Sequence, residues 1–439
     1  LGVFSYTGDM NIRKIVKKVI PRGLFRQIEP MGHGAEAALW AARYGFPARD
    51  LHIIGITGTD GKTTTATLLY RSLQAAGVRA ALLSTATIDL LDGKGERANP
   101  THMTTASSRS LMQMLRAVRA GRPEWVVLEI SSHALAQHRA LSVPFEIGII
   151  TNLSHEHLDY HGTMERYAAA KRRLFERVAR HTRGLGVGIS NADDPLVMDF
   201  ASVTPHPVTY GIEQGDLRAR KLELAAGKSV FMAESPQGKL KITSQLTGRF
   251  NVYNTLAVVA TLRAIGLDSK TIQRAVAQAE PPTGRMMRVD AGQAYNVIID
   301  YAVTPAAIES ALTALREIVP GKLSIVFGAT GDRDRAKRPV MGAVVVKHAD
   351  RVYLTDDEPY TEDAGKIRAA VMAGIKKSSG TKKTKEFANR AEAIRAALKD
   401  AKKGDAVLIT GLGHQTDRNV GGKLVPWSDE AIVRASLKK

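Results

Sequence analysis

The chain has 439 residues, a formal net charge of +19 and no cysteine, with 44% of its residues hydrophobic and 24% charged. That is enough apolar material for two or three packed domains and too balanced for a disordered chain, and it excludes disulfide staples, thiolate metal sites and cysteine nucleophiles. No apolar run approaches the ~20 residues of a membrane span, the first ten residues do not read as a secretory signal, and the basic balance points to anionic partners, while the low aromatic content and lack of a zinc-finger pattern argue against nucleic acid.

The chain opens on Leu1, and Met10 reads as a natural start. Ile12, Ile15, Val16, Val19 and Ile20 fall at helical spacing, with Arg13, Lys14, Lys17 and Lys18 on the other face and Pro21 as the stop. The stripe either packs on the next domain or lies on an anionic membrane surface; the first reading is the commoner outcome for such stripes. A helical extension is therefore expected over residues 1–46.

Leu51–Thr57 is a short apolar run that enters a glycine turn and then a helix pattern. Strand-like runs follow at Ala80–Leu83, Trp125–Ile130, Ile147–Thr151, Val297–Asp300, Leu323–Phe327, Val352–Leu354 and Ala406–Ile409, mostly separated by helical stretches. The alternation predicts an α/β protein with mostly parallel sheets covered by helices. Residues 206–246 alternate and turn, predicting a small antiparallel patch. Pro281–Gly284 is the best linker candidate, dividing a nucleotide domain at 47–283 from a second α/β domain at 284–439. Lys376–Lys385, with five lysines, reads as a solvated loop or helix end.

The strongest local signal is Thr57-Gly58-Thr59-Asp60-Gly61-Lys62-Thr63-Thr64, between a predicted strand and a predicted helix. Glycines let the backbone wrap a phosphate, and amides at a helix start point at the anion. Lys62 would reach the outer phosphates and the Thr63 hydroxyl would ligate Mg²⁺. The general eight-residue phosphate loop has glycine where this chain has Ile56. The chemistry alone predicts ATP or GTP and says nothing of its use.

Glu129 ends an apolar strand, where a magnesium ligand beside a phosphate loop belongs, and is followed by Ser131-Ser132-His133. Another strand ends at Thr151-Asn152 and leads into Ser154–Gly162, with histidines at 155, 157 and 161. Three histidines so close raise a zinc site, which is the weaker reading. Lys171, on the following helix, is by itself an ordinary surface lysine.

Gly58–Thr64, Glu129–Leu135, Thr151–Phe175, Gly248–Asn254, Gly284-Arg285-Met286, Asp300–Pro305, Phe327–Gly342 and Gly411–Thr416 together resemble the Mur ligases, most of all their UDP-N-acetylmuramoyl-tripeptide synthetase branch. The likeness runs in order from about residue 50 to the C-terminus. It implies a central P-loop ATPase domain followed by a Rossmann-like domain. It implies an ATP-dependent amide ligase that adds an amino acid to a muramoyl-L-Ala-D-Glu acceptor through an acyl phosphate. By the same resemblance Lys171 is carbamylated and, with Thr63, Glu129 and His157, holds two Mg²⁺ ions. Gly58 to Thr64 take the phosphates. Asn254 resembles an adenine contact, and Arg285 and Asp300 nucleotide contacts from the domain junction. Thr104, Thr105, Ser131, Gln137 and Arg139 resemble the site for the acceptor's acidic end. Arg333 resembles the arginine for the incoming amino acid's carboxylate, with Asp357, Glu358, Gly411 and Gln415 around it. A cytoplasmic monomer is expected.

The chain departs from the family's pattern. Only about 50 residues precede the phosphate loop, where the family carries a domain for the UDP end, so that domain is expected to be lacking and a lipid-borne acceptor stays open. Asp357-Glu358-Pro359-Tyr360 stands where the family has Asp-Asn-Pro-Arg, and the missing arginine normally grips the distal carboxylate of meso-diaminopimelate. Asp356, Asp357 and Glu358 would instead suit a distal ammonium, as in lysine or ornithine, although Gln415 replaces a glutamate. Val303 replaces a histidine, Ala106 a proline and Glu156 an aspartate. Two other readings are a folylpolyglutamate-synthase-like ligase and a nucleotide-binding regulatory subunit that has lost ligation.

Overall fold

The computed structural model describes residues 22–101 and 103–438. The helix expected at 12–20, with both its readings, lies outside the described residues. The first described element is the helix Arg22–Arg43. Its Trp40, and Tyr44 just beyond its end, pack against a core that holds Leu111 and Phe175, and Gln113 donates to the Tyr44 hydroxyl at 2.8 Å. No helix among the described residues is long and apolar enough to cross a membrane.

Eleven strands form one sheet: β1 Ile53–Thr57, β2 Ala80–Leu83, β3 Thr87–Asp89, β4 Arg97–Ala98, β5 Trp125–Glu129, β6 Phe145–Ile150, β7 Val187–Asn191, β8 His206–Gly211, β9 Leu217–Ala225, β10 Lys228–Ser235 and β11 Gly238–Ser244. Their order is β11-β10-β9-β8-β7-β6-β1-β5-β2-β3-β4. From β2 across to β8 the neighbours are parallel. β1 and β6 are buried along their whole length, as their unbroken apolar runs require when helices cover both faces. One core lies under the helices Lys62–Ala75, Arg249–Ala264 and Ser269–Gln278, the other under Ser108–Ala120 and Met164–Arg180. From β1 the chain goes to β2 on one side and, after β5, to β6 on the other. That reversal opens a crevice at the carboxyl end of β1.

The patch at 206–246 differs from its sequence reading. β8 joins the sheet parallel to β7, and only β9 to β11 form an antiparallel meander, which continues the main sheet. β7 was not foreseen. Its Val-Gly-Ile-Ser-Asn run is short and carries Gly188, where a β-carbon would sit 2.6 Å from Thr204 Oγ1.

The second sheet holds β12 Met287–Val289, β13 Asn296–Asp300, β14 Leu323–Phe327, β15 Arg351–Leu354, β16 Thr384–Glu386 and β17 Ala406–Thr410, in the order β12-β13-β17-β14-β15-β16. Only β12 runs antiparallel to its neighbour. A separate hairpin, β18 Asp417–Val420 with β19 Lys423–Pro426, follows. The lysine-rich stretch is more ordered than its composition suggests. It ends the helix Ala364–Lys377 and contributes edge strand β16, with Lys383 Nζ donating to the carbonyls of Val346 and Ala349. Phe250, on the helix Arg249–Ala264 of the first unit, packs on a core of the second sheet.

Candidate active site

β1 ends at Thr57 and the next helix begins at Lys62, so residues 58–61 must turn within four positions. Gly58 and Gly61 do this with φ of +145° and +79°. A β-carbon on Gly58 would stand 1.9 Å from Thr151 Oγ1, and one on Gly61 2.4 Å from Asn254 Oδ1. The loop is therefore clamped between the end of β6 and the helix Arg249–Ala264. Thr151 Oγ1 and Asn152 Nδ2 donate to the Asp60 carbonyl at 2.6 and 3.1 Å, and Asn152 Oδ1 accepts from the Asp60 amide at 2.9 Å. Lys62 Nζ donates to the Thr59 carbonyl at 2.6 Å, and Thr64 is buried one residue inside the helix from Thr63. Asn254 accepts from Thr65 Oγ1 and donates to Asn251, which places it behind the loop.

On the β5 side, the Thr63 hydroxyl donates to the Glu129 carboxylate, 3.1 Å from each oxygen, and the Thr85 amide donates to Glu129 Oε2 at 2.8 Å. Glu129 is almost fully buried. On the other side, Lys171 is buried too. Its Nζ donates to the Gly58 carbonyl at 2.5 Å and lies 4.5 Å from the centre of the Tyr167 ring. Burial, and after it the Lys62 charge, hold this amine well below the usual lysine range, favouring its neutral form. The sequence reading of an ordinary surface lysine is thus overturned, because Lys171 lies on the inward face of its helix with Leu174 and Phe175.

His157 has φ +56° just before the short helix Leu158–His161. Its ring meets His133 edge-on at 4.8 Å and Tyr167 at 6.1 Å, with the Glu156 carboxylate 3.8 Å away. His161 stands four residues on, but its Nε2 is 3.0 Å from Ser132 Oγ. The histidines are thus built into a ring cluster with Tyr160 and Tyr167. Among the described residues no group of three or more His, Asp or Glu side chains is arranged as a metal site.

Thr105, Ser131, Gln137 and Arg139 come together beside Glu129, with Thr104 next in the chain. Thr105 Oγ1 donates to the Glu129 carbonyl and accepts from the Ser131 amide. Arg139 donates to the Thr105 carbonyl at 3.1 Å and to Gln137 at 2.8 Å. Ser131 also caps the helix Ser132–Ala136.

At the junction Gly284 has φ +67°, and a β-carbon there would stand 2.2 Å from Gly413 and His414 backbone atoms. Arg285 lies over the Tyr301 ring at 4.6 Å. Asp300 ends β13 and accepts from the Met286 amide at 2.7 Å, while burial raises its carboxyl against the nearby Arg285 charge. Asp60 is likewise raised by burial, opposed by Lys62 and then Arg285. Arg285 thus acts electrostatically on the phosphate loop from the other side of the junction.

The remaining candidates lie in loops at the carboxyl edge of the second sheet. Arg333 is exposed over the Tyr360 ring, 5.2 Å away. The 328–336 and 355–360 loops touch closely: a β-carbon on Gly331 would meet the Pro359 carbonyl at 1.9 Å. Asp357 is buried against Gly411, whose β-carbon would sit 2.4 Å from its Oδ2. Burial pushes the Asp357 carboxyl up to about 6, with Arg390 opposing. Glu358 accepts from Gln415 Nε2 at 3.2 Å and from the Asn419 amide at 2.9 Å. Asp356 is paired with Arg368. The open acidic trio expected for a distal ammonium is therefore not present as such: Asp356 and Glu358 already have partners.

Sequence reasoning did not single out Asn152, the Thr85 amide, Lys337 or Arg418. Lys337 Nζ donates to the Val303 carbonyl at 3.0 Å and feels Glu156 across the junction. The only sequence signal for it was a lysine opening a helix beside Gly331-Asp332-Arg333.

Residues 56–262 match the Mur ligase middle domain and residues 284–413 the Mur ligase glutamate ligase domain. The chain is 38% identical over 416 residues to the UDP-N-acetylmuramoyl-L-alanyl-D-glutamate–2,6-diaminopimelate ligase of Geobacillus thermodenitrificans, covering 94% of this chain and 84% of that protein. It is 35% identical over 424 residues to the UDP-N-acetylmuramyl-tripeptide synthetase of a Roseiflexus species, covering 93% and 82%. A solved UDP-N-acetylmuramoyl-L-alanyl-D-glutamate–2,6-diaminopimelate ligase superposes with TM-score 0.63 at 31% identity, over 94% of this chain and 82% of that one. The folylpolyglutamate synthase of Mycobacterium tuberculosis superposes at 0.69 with 18% identity, over 86% and 92%, a likeness of fold alone. The chain belongs to the Mur ligase family of ATP-dependent, ADP-forming ligases.

Proposed function

We propose that the chain uses ATP to join a diamino acid to the carboxylate of a UDP-N-acetylmuramoyl-L-alanyl-D-glutamate acceptor, a step of peptidoglycan precursor synthesis. The observation that carries the reading is the pairing of Glu129 with Thr63 on one side of the phosphate loop and the buried Lys171 amine on the other. The acceptor and the class of amine are those named for relatives that are 37–38% identical over most of the chain.

A carboxylate does not react with an amine near neutral pH. Transfer of the γ-phosphoryl group of ATP to it gives an acyl phosphate and ADP; the amine then attacks the acyl carbon and phosphate leaves. Such transfer is governed by positioning and charge neutralisation. Gly58 to Thr64 hold the phosphates, and Lys62 leaves the Thr59 carbonyl for the outer ones. The hydroxyl of Thr63 and the carboxylate of Glu129 are hard oxygen donors in contact, a set that fits Mg²⁺, which when bound offsets phosphate charge. A neutral Lys171 amine adds CO₂ to give a carbamate and a proton, turning a potential cation into an anionic ligand. With His157 it would serve a second Mg²⁺. Thr104, Thr105, Ser131, Gln137 and Arg139 would hold the acceptor's acidic end. Arg333, Asp357, Glu358, Gly411 and Gln415 would hold the amino acid, and Asn254, Arg285 and Asp300 the nucleotide side of the junction. We take the active form to be a cytoplasmic monomer with boundaries near residues 46 and 283.

The test is phosphate release from ATP and Mg²⁺ with UDP-N-acetylmuramoyl-L-Ala-D-Glu and, in turn, meso-diaminopimelate, lysine and ornithine, with product masses recorded. A gain of one diamino-acid residue is expected. ATP binding without turnover on any of them would sink the reading.

A further inference from the structure

The hairpin β18–β19 is fastened to the 357–360 segment. Besides the Asn419 and Gln415 bonds to Glu358, the Tyr360 amide donates to the Asn419 carbonyl at 3.2 Å. Arg418 lies in this hairpin, half-buried, its guanidinium 4.3 Å from the Trp427 ring centre. Its Nε and Nη1 are buried and have no hydrogen-bond partner among the described residues. This is an unusual state for an arginine, since a buried guanidinium donor left unmade is costly. Other arginines of the same unit do not share it in full. Arg338 pairs with Glu362, Arg351 with Asp405, Arg368 with Asp356 and Arg390 with Asp429.

Three of the carboxylates near Arg418 are committed elsewhere. Asp356 belongs to Arg368, Glu358 to Gln415 and Asn419, and Asp429 to Arg390 and the Trp427 indole. Asp356, Asp357 and Asp429 supply a field that Arg418 feels, but no hydrogen bond to its Nε or Nη1. The same neighbourhood holds two acceptors without partners among the described residues, Asp357 Oδ1 and Gln415 Oε1. Unmet donors on a cation and unmet acceptors on an anion and an amide ask for one ligand that carries both an anionic and a cationic group. A bare terminal ammonium would answer Asp357 and Gln415 and leave Arg418 unmet. A terminal amino-acid head, with carboxylate and ammonium on one carbon, answers all of them.

We propose that Arg418 reads the far carboxylate of the incoming amino acid while Asp357 and Gln415 take the ammonium beside it, so that the chain selects a diamino acid with two amino-acid heads over one that ends in an amine. This rests on the ligase reading above and adds to it the residue that sets specificity. It also reverses the preference for lysine or ornithine that the acidic run suggested.

The test is steady-state ligation with wild type, Arg418→Gln, Arg418→Lys and Arg418→Ala, comparing meso-diaminopimelate with lysine. Wild type is expected to favour diaminopimelate in kcat/KM. Arg418→Gln is expected to raise its KM about tenfold or more, the loss of a charge-assisted bond, with the KM for ATP held. Arg418→Lys keeps the charge without the fork and should fall between them. Added guanidinium should lower the diaminopimelate KM of Arg418→Ala. A wild-type KM for diaminopimelate in Arg418→Gln, or a wild type that prefers lysine, overturns the proposal. So does a parallel rise in the KM for ATP with no rescue, which marks a role in folding only. Wild type that ligates none of these amino acids overturns the ligase reading itself, and is told apart because no variant is needed to see it.

Discussion

Lys171 carries the sharpest residue-scale consequence. Burial lowers the pKa of the Lys171 amine and so shifts it toward the neutral form, the form that takes up CO₂. Lys171→Ala should abolish ligation, and added acetate or formate should restore part of it by supplying the lost carboxylate. Full activity in the variant would end the carbamate role. Asp357 gives a prediction of stability. Its carboxyl is raised to about 6 by burial, so the folded state holds its proton more tightly than the unfolded chain. The stabilisation from that proton is complete below the ordinary aspartate value and is lost as pH rises through about 6. Denaturation at successive pH values should show wild type losing on the order of 3 kcal/mol between pH ~4 and ~7, a slope that Asp357→Asn should lack.

At the scale of elements, the phosphate loop was legible because glycine spacing, the preceding apolar run and the following helix pattern are all local. What the loop rests on was not. The resemblance suggests Asn254 as an adenine contact, and its packing against Gly61 joins positions 193 apart in the chain, so only the fold could reveal that support. Gly61→Ala should weaken ATP binding and cost about 1–2 kcal/mol for its left-handed φ. The clash with Asn254 should make the double variant Gly61→Ala, Asn254→Ala depart from additivity by about 0.5–3 kcal/mol in a calorimetric cycle. Strands with unbroken apolar runs were read correctly, whereas β7 was missed because glycine thins its pattern, and the parallel placement of β8 depends on its neighbour rather than on its residues. The acidic run at 356–358 was misread for the same kind of reason: Arg368, which neutralises Asp356, comes from the next helix.

Across the whole molecule, the two units are joined where the chain crosses at residues 281–284. Arg71 Nη1 donates to the carbonyls of Glu280 and Pro281 at 3.1 and 2.7 Å, and Gly284 lets the chain pass against Gly413 and His414. An acyl phosphate must be kept from water, so closure of one unit on the other is expected during turnover. Limited proteolysis near residues 281–286 should slow when ATP analogue, acceptor and amino acid are all present. Gly284→Ala adds a β-carbon where φ is +67° and backbone already stands 2.2 Å away, so it should cost about 2–4 kcal/mol and lower kcat.

The loops at the carboxyl edge of the second sheet, with the β18–β19 hairpin that follows them, hold every residue assigned to the incoming amine, and none of the phosphate loop or of the residues assigned to Mg²⁺. Selection for a new amine can therefore act on 355–360 and 411–427 while the half-reaction that activates the acid is inherited unchanged. Grafting those two stretches between ligases of different amino-acid choice should carry the choice with them, which makes the edge of one sheet an exchangeable cassette.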